Sequence, residues 1–201
     1  MKIGKDQPSI LIVILMIPLT EKQATEQFLM CVPSEYFKIH RQCKGEPIYL
    51  KKLKRDFLNW DQKPVPKYGL VDFILEPTDE LMKKGWEIGC VGVEIKSTFQ
   101  INKNPGKAIV QILDYQSCKY SLNGNETELS MIYLFPFIET AYYIASIMMQ
   151  EGLGFVRCKL NYGIKFQLLQ ANTSHEPVFN YYDDGDISIR RPRYGKRFGH
   201  R

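Results

Sequence analysis

Two apolar stretches, each interrupted by charge, restrict this chain more than any other feature. Leu70-Val71-Asp72-Phe73-Ile74-Leu75 would be an unbroken buried strand but for one carboxylate. Val91-Gly92-Val93-Glu94-Ile95-Lys96 carries an acid and a base in a run otherwise fit for a sheet interior. An unpaired buried carboxylate costs several kcal/mol or takes up a proton, so these charges need partners. A strand read over Trp86 to Lys96 sets Val91, Val93 and Ile95 on one face and Cys90, Gly92, Glu94 and Lys96 on the other. If it pairs with the Asp72 strand, two carboxylates and one ammonium converge, and Gly92 leaves room for something to approach them.

The surrounding pattern predicts an α/β fold with a mixed central sheet flanked by helices. Ser9 to Leu19 reads as a buried strand, because it is about half the ~20 residues that a membrane-spanning helix needs. Thr20 with Gln23 resembles a capping box opening a helix to about Met30. Ser34 then caps a second short helix through Ile39, and Glu46 to Leu53 is extended. A helical turn over Asp79 to Lys84 stops at Gly85. A longer helix has Asn104 as N-cap, Pro105 at its first position and a stop near Asn123-Gly124. Met131 to Phe137 is a strand, Ile138 to Gln150 a helix, and Phe155 to Leu160 with Ile164 to Gln170 a hairpin.

A chain of 201 residues suits one core, so residues 1–189 are expected to form a single domain. Charge marks the remainder. The net +5 includes six Lys or Arg in residues 190–201, which leaves 27 − 6 = 21 bases against 22 acids in the body. That basic tail, joined through Asp183, Asp184 and Asp186, is either a phosphate-binding arm or a solvated end. Five scattered cysteines without a CxxC pair suggest neither disulfides nor zinc, which fits a reducing, intracellular setting.

Two carboxylates with a backbone carbonyl and waters suit Mg²⁺ or Mn²⁺, hard cations that prefer oxygen. Such an ion polarises a phosphate and acidifies a water, while Lys96 orients or deprotonates the nucleophile and offsets developing charge. Asp72, a gap, then Glu94-Ile95-Lys96 resembles the PD-(D/E)xK nuclease superfamily, with Val71 where a proline often stands. The resemblance implies a restriction-endonuclease-like core, Asp72, Glu94 and the Ile95 carbonyl as metal ligands, and Lys96 positioning the attacking water. Gln111 and Tyr115, four apart on one helix face, are similar to the Gln-xxx-Tyr motif of RecB-like branches, where they contact substrate or brace the site. The first helix of the family often supplies another acid, for which Glu26 and Glu35 are the candidates. No iron–sulfur cluster is expected, because the family's four-cysteine pattern is missing.

By resemblance the activity is hydrolysis of DNA phosphodiester bonds, in the manner of Holliday-junction resolvases or related viral nucleases. The implied partners are DNA, which branched forms would extend, and a second copy in a homodimer, with no membrane. The alternative is a nucleic-acid-binding module that keeps the fold without cutting. Asp72, Glu94 and Lys96 can also be read as a structural ion cluster, Gln111 and Tyr115 as ordinary core, and Lys51, Lys52, Lys54 and Arg55 as protection of a sheet edge rather than a DNA contact.

Overall fold

A computed structural model of the chain describes residues 19–47, 69–116, 118–137, 153–158, 163–170 and 177–192. The expected strand at 9–19 (except for Leu19), the basic run 51–55 and the helix at 138–150 lie outside those residues. The first element is helix α1 (Glu21–Cys31). Thr20 caps it as its sequence implies, accepting from Gln23 N while the Gln23 side chain returns to the Thr20 N–H. Ala24, Phe28 and Cys31 form its buried stripe.

No helix follows at Ser34. Pro33 accepts from both Tyr36 N and Phe37 N in a tight turn, and strand β1 (Phe37–Pro47) begins at once. Tertiary packing overrides the local cap here. Tyr36 and Phe37 enter an aromatic cluster with Trp86 and Phe179, at centroid distances of 5.2 to 6.4 Å. Strand β2 (Gly69–Pro77) runs antiparallel to β1, and α2 (Asp79–Lys83) is a single capped turn.

The strand expected from Trp86 is shorter. Trp86 Nε1 donates to the Gly89 carbonyl at 2.9 Å, closing a loop that turns through Gly89 at φ 78°, and strand β3 covers only Val91–Ile95. Lys96 lies one step past its end, yet its N–H still donates to the Phe135 carbonyl at 2.9 Å.

The expected helix starts as read, at Asn104 and Pro105, but it ends at Gln116 and a hairpin follows, while a further short helix precedes it. Ser97 caps α3 (Thr98–Lys103), Asn104 closes it, and the Asn104 side chain accepts from Lys107 N to open α4 (Pro105–Gln116). Strands β4 (Cys118–Leu122) and β5 (Asn125–Glu128) then pair antiparallel. Asn123 and Gly124 are the hairpin turn, both at positive φ, rather than a helix stop.

Strand β6 (Met131–Phe135) lies parallel to β3, and β7 (Leu153–Cys158) parallel to β6. Strand β8 (Ile164–Gln170) returns antiparallel to β7 as the expected hairpin. Strands β9 (Pro177–Tyr182) and β10 (Ile187–Ile189) complete the sheet, so Asp183, Asp184 and Asp186 belong to a hairpin turn and not to a linker. Beyond them Arg190 N–H donates to the Val178 carbonyl and Arg191 pairs with Glu87 at 3.0 Å, so the first two residues of the basic tail are tied to the body.

The described strands form one mixed sheet in the order β10-β9-β8-β7-β6-β3-β2-β1-β4-β5. Alternation along β3 and β6 divides the core. Val91, Val93, Ile95, Met131, Tyr133 and Phe135 pack with α1, and Ile132 and Leu134 pack with Ile101, Ala108, Ile109 and Ile112 of α3 and α4. Among the described residues no helix is long and apolar enough to cross a membrane.

Candidate functional site

The β2–β3 register pairs Phe73 with Val93 and Ile74 with Gly92. One step further, Asp72 faces Glu94, and there the ladder gives way. The Ile95 N–H donates to Asp72 Oδ2 at 2.8 Å, a side chain replacing the backbone carbonyl that a continued strand pair would supply. On the other side of β2, Gln42 sits between the Arg41–Phe73 and Cys43–Val71 pairs with φ 47°. Asp72 therefore lies where backbone pairing is interrupted on both flanks.

Glu94 follows Gly92 on the α4 face and is 2% exposed. Its Oε1 accepts from Lys96 Nζ, while its Oε2 is buried and has no hydrogen-bond partner among the described residues. Burial and the neighbouring Asp72 charge push the Glu94 carboxyl up to about 7, against the opposing pull of Lys96. Burial also raises Asp72, although the Ile95 N–H and Lys96 favour its ionised form. For Lys96 burial acts downward, but Glu94, Asp72 and Glu21 together outweigh it and raise the ammonium above its usual value. The cluster thus holds a firm cation beside two acids that cannot comfortably both ionise.

Gln111 and Tyr115 on α4 are brought to the same place. Gln111 Nε2 donates to Tyr115 Oη at 2.5 Å, and the Tyr115 hydroxyl, raised chiefly by burial, feels the charges of Glu94, Lys96 and Asp72. Tyr120 Oη donates to the Tyr115 carbonyl at 2.8 Å, and the Tyr115 ring lies against Gly69, where an added Cβ would come within 3.0 Å.

Neither expected helix acid, Glu26 or Glu35, is among the charges acting on the cluster. Glu26 is exposed on α1, and the Glu35 side chain is engaged with Tyr181, whose hydroxyl it helps push up to about 12. The first-turn residue Glu21 is instead close enough for its charge to act on both Asp72 and Lys96. Thr98 N–H donates to the Leu19 carbonyl at 3.2 Å, which ties the start of α1 to the segment after Lys96.

Gly92 does not open an approach. An added Cβ would meet Leu129 Cδ1 at 2.8 Å and Ile132 Cγ1 at 3.1 Å, so the missing side chain makes room for the core. Among the described residues no three His, Cys, Asp or Glu side chains form a ready metal cage. Asp72, Glu94 and the Ile95 carbonyl at the end of β3 nevertheless present oxygen donors, and the partnerless Glu94 Oε2 is what a hard divalent cation would satisfy. Comparison of the chain with family models, curated proteins and solved structures found no match.

Proposed function

We propose that this chain is a divalent-metal-dependent nuclease that hydrolyses DNA phosphodiester bonds, built on a restriction-endonuclease-like core. The reading is carried by one observation: Glu94 keeps a buried carboxylate oxygen without a hydrogen-bond partner among the described residues, against a second carboxylate, an arrangement that costs free energy unless a proton or a metal cation joins it.

Asp72, Glu94 and the Ile95 carbonyl would hold Mg²⁺ or Mn²⁺, which when bound polarises the scissile phosphate and acidifies a water. Lys96 contributes as a cation. Its raised pKa makes it a poor base at neutral pH, so it orients the water and offsets negative charge developing on the phosphate. Gln111 donates its amide to the Tyr115 hydroxyl and so orients a ring that feels the charges of Asp72, Glu94 and Lys96. In the net reaction a water oxygen joins phosphorus and one ester P–O bond breaks. One water proton ends on the released alcohol and the other passes to solvent.

The test is supercoiled plasmid incubated with Mg²⁺, with EDTA, and with Lys96→Ala. Nicking that needs both metal and Lys96 supports the enzyme. A salt-sensitive mobility shift without scission supports the non-cleaving alternative. Extending the resemblance, a symmetric homodimer acting on branched DNA is the form proposed, for which a panel of synthetic junctions, flaps and linear duplexes is the direct assay.

A further inference from the structure

The polypeptide from Lys96 to Leu113 carries three lysines and no acid, and most of it folds into the two helices that flank the proposed site. Helix α3 lies on the same face of the sheet as Glu94, because its Ile101 packs with Ile132 and Leu134. The capping residue Ser97 follows Lys96 directly, so the backbone of Phe99 stands within about 10 Å of the Lys96 backbone. Phe99 is 65% exposed, whereas Thr98 and Ile101 are the residues that α3 buries. Four residues on, Lys103 Nζ sits 5.4 Å from the centre of the Phe99 ring. Lys107 is exposed one turn before Gln111 on α4. The ion pairs among the described residues include neither Lys103 nor Lys107. Packing of the two core clusters accounts for none of these three side chains.

We propose that Phe99 is a stacking platform for an unpaired base of the DNA substrate, with Lys103 and Lys107 holding the adjoining phosphates. The inference rests on the nuclease reading and names its substrate class, DNA with a single-stranded stretch at the cut, as in a flap or a frayed branch. A base offers its π-face to a ring only after leaving the duplex stack, and surfaces that bind single strands combine aromatic rings with cations in this way. Charge decides between a nucleic acid and an apolar protein surface. A protein covering Phe99 would strip water from the Lys103 ammonium beside it, whereas a polyanion neutralises that charge. At about 3.4 Å of axial rise for each nucleotide, about 10 Å places the stacked base within about three nucleotides of the phosphate at Lys96.

The experiment measures binding of fluorescein-labelled oligothymidylate and of a duplex of equal length by anisotropy across a salt series, in EDTA and in Ca²⁺. Wild type, Phe99→Ala, Phe99→Trp and Lys103→Gln are compared. Phe99→Ala is expected to lose about tenfold in affinity for the single strand and less than about twofold for the duplex. Its melting temperature should stay within about 2 °C of wild type, because the ring is exposed. Phe99→Trp keeps the affinity, and its emission is quenched by the single strand beyond the response of wild type, which already holds Trp60 and Trp86. Lys103→Gln lowers the slope of log affinity against log salt by about 0.7. Plasmid nicking by wild type in Mg²⁺ runs in parallel. Nicking together with unchanged single-strand affinity in Phe99→Ala overturns this inference alone. Loss of self-association in Phe99→Ala by sedimentation velocity, with that affinity unchanged, overturns it too and assigns the ring to a contact between copies. Single-strand binding that depends on Phe99 without any nicking upholds the stacking site and removes the nuclease reading. A wild type that neither binds nor cuts DNA overturns both.

Discussion

Burial and the Asp72 charge favour a proton on Glu94, Lys96 and the Asp72 N–H oppose it, and their balance sets how the protein responds to pH. The folded Glu94 pKa of about 7 lies above the ordinary 4.5, so without metal the folded state binds an extra proton between those values. That contribution is fully present below about pH 4.5 and is lost as pH rises through about 7. It amounts to at most about 3 kcal/mol. Metal-free wild type is therefore expected to melt progressively lower from pH 5 to pH 8 in EDTA, and Glu94→Gln should flatten that portion of the profile. On the proposed nuclease reading protons and metal compete for the same oxygens, so the Mg²⁺ concentration giving half-maximal cleavage should rise as pH falls below about 7, by up to about tenfold per unit. Asp72, Glu94 and Lys96 were legible in the sequence because charge inside an apolar strand has few explanations. Glu21 was not, since an acid in a first helical turn is commonplace and only the Leu19–Thr98 contact directs it at the site.

At the scale of elements, strand pairing and capping dominate the packing. An added Cβ at Gly154 would come within 2.3 Å of the Leu169 carbonyl, a backbone atom in the paired strand, and would force β7 from β8. Gly154→Ala should cost about 3 kcal/mol or more in urea unfolding. Phe28 is fully buried with ring centroids 5.0 Å from Phe73 and 5.9 Å from Phe135, so Phe28→Ala should cost about 3–5 kcal/mol. Ser97→Ala removes the cap of α3 directly behind Lys96, for about 1 kcal/mol by the same measurement. The capped helix α1 and the apolar strands β2, β3 and β6 could be read from residue patterns because local chemistry and packing agree there. Where they disagree the reading failed: Ser34 offers a cap, but burial of Phe37 among aromatic rings draws the chain into β1. At Asn123-Gly124 the signal was present and misassigned, since Asn-Gly after the alternation of Cys118 to Leu122 marks a hairpin more strongly than a helix end.

Over the whole molecule, charge and topology act separately. The body carries 21 bases and 22 acids, and residues 190–201 carry the positive excess. Deleting residues 193–201 removes four of those six bases and should weaken DNA binding and reduce its salt slope, with the metal requirement for cleavage unchanged. An α/β architecture was readable from alternating strand and helix patterns. The sheet order was not, because it depends on crossovers that place β4 beside β1 and β6 beside β3, each joining residues far apart in the chain. The central position of β6 also governs timing on the ribosome. Residues 72 to 96 emerge well before residues 131–135, yet the Lys96 backbone is anchored by Phe135. A nascent chain halted before residue 131 lacks that neighbour, so Asp72, Glu94 and Lys96 stay in unfinished sheet and their cluster is completed only late in translation.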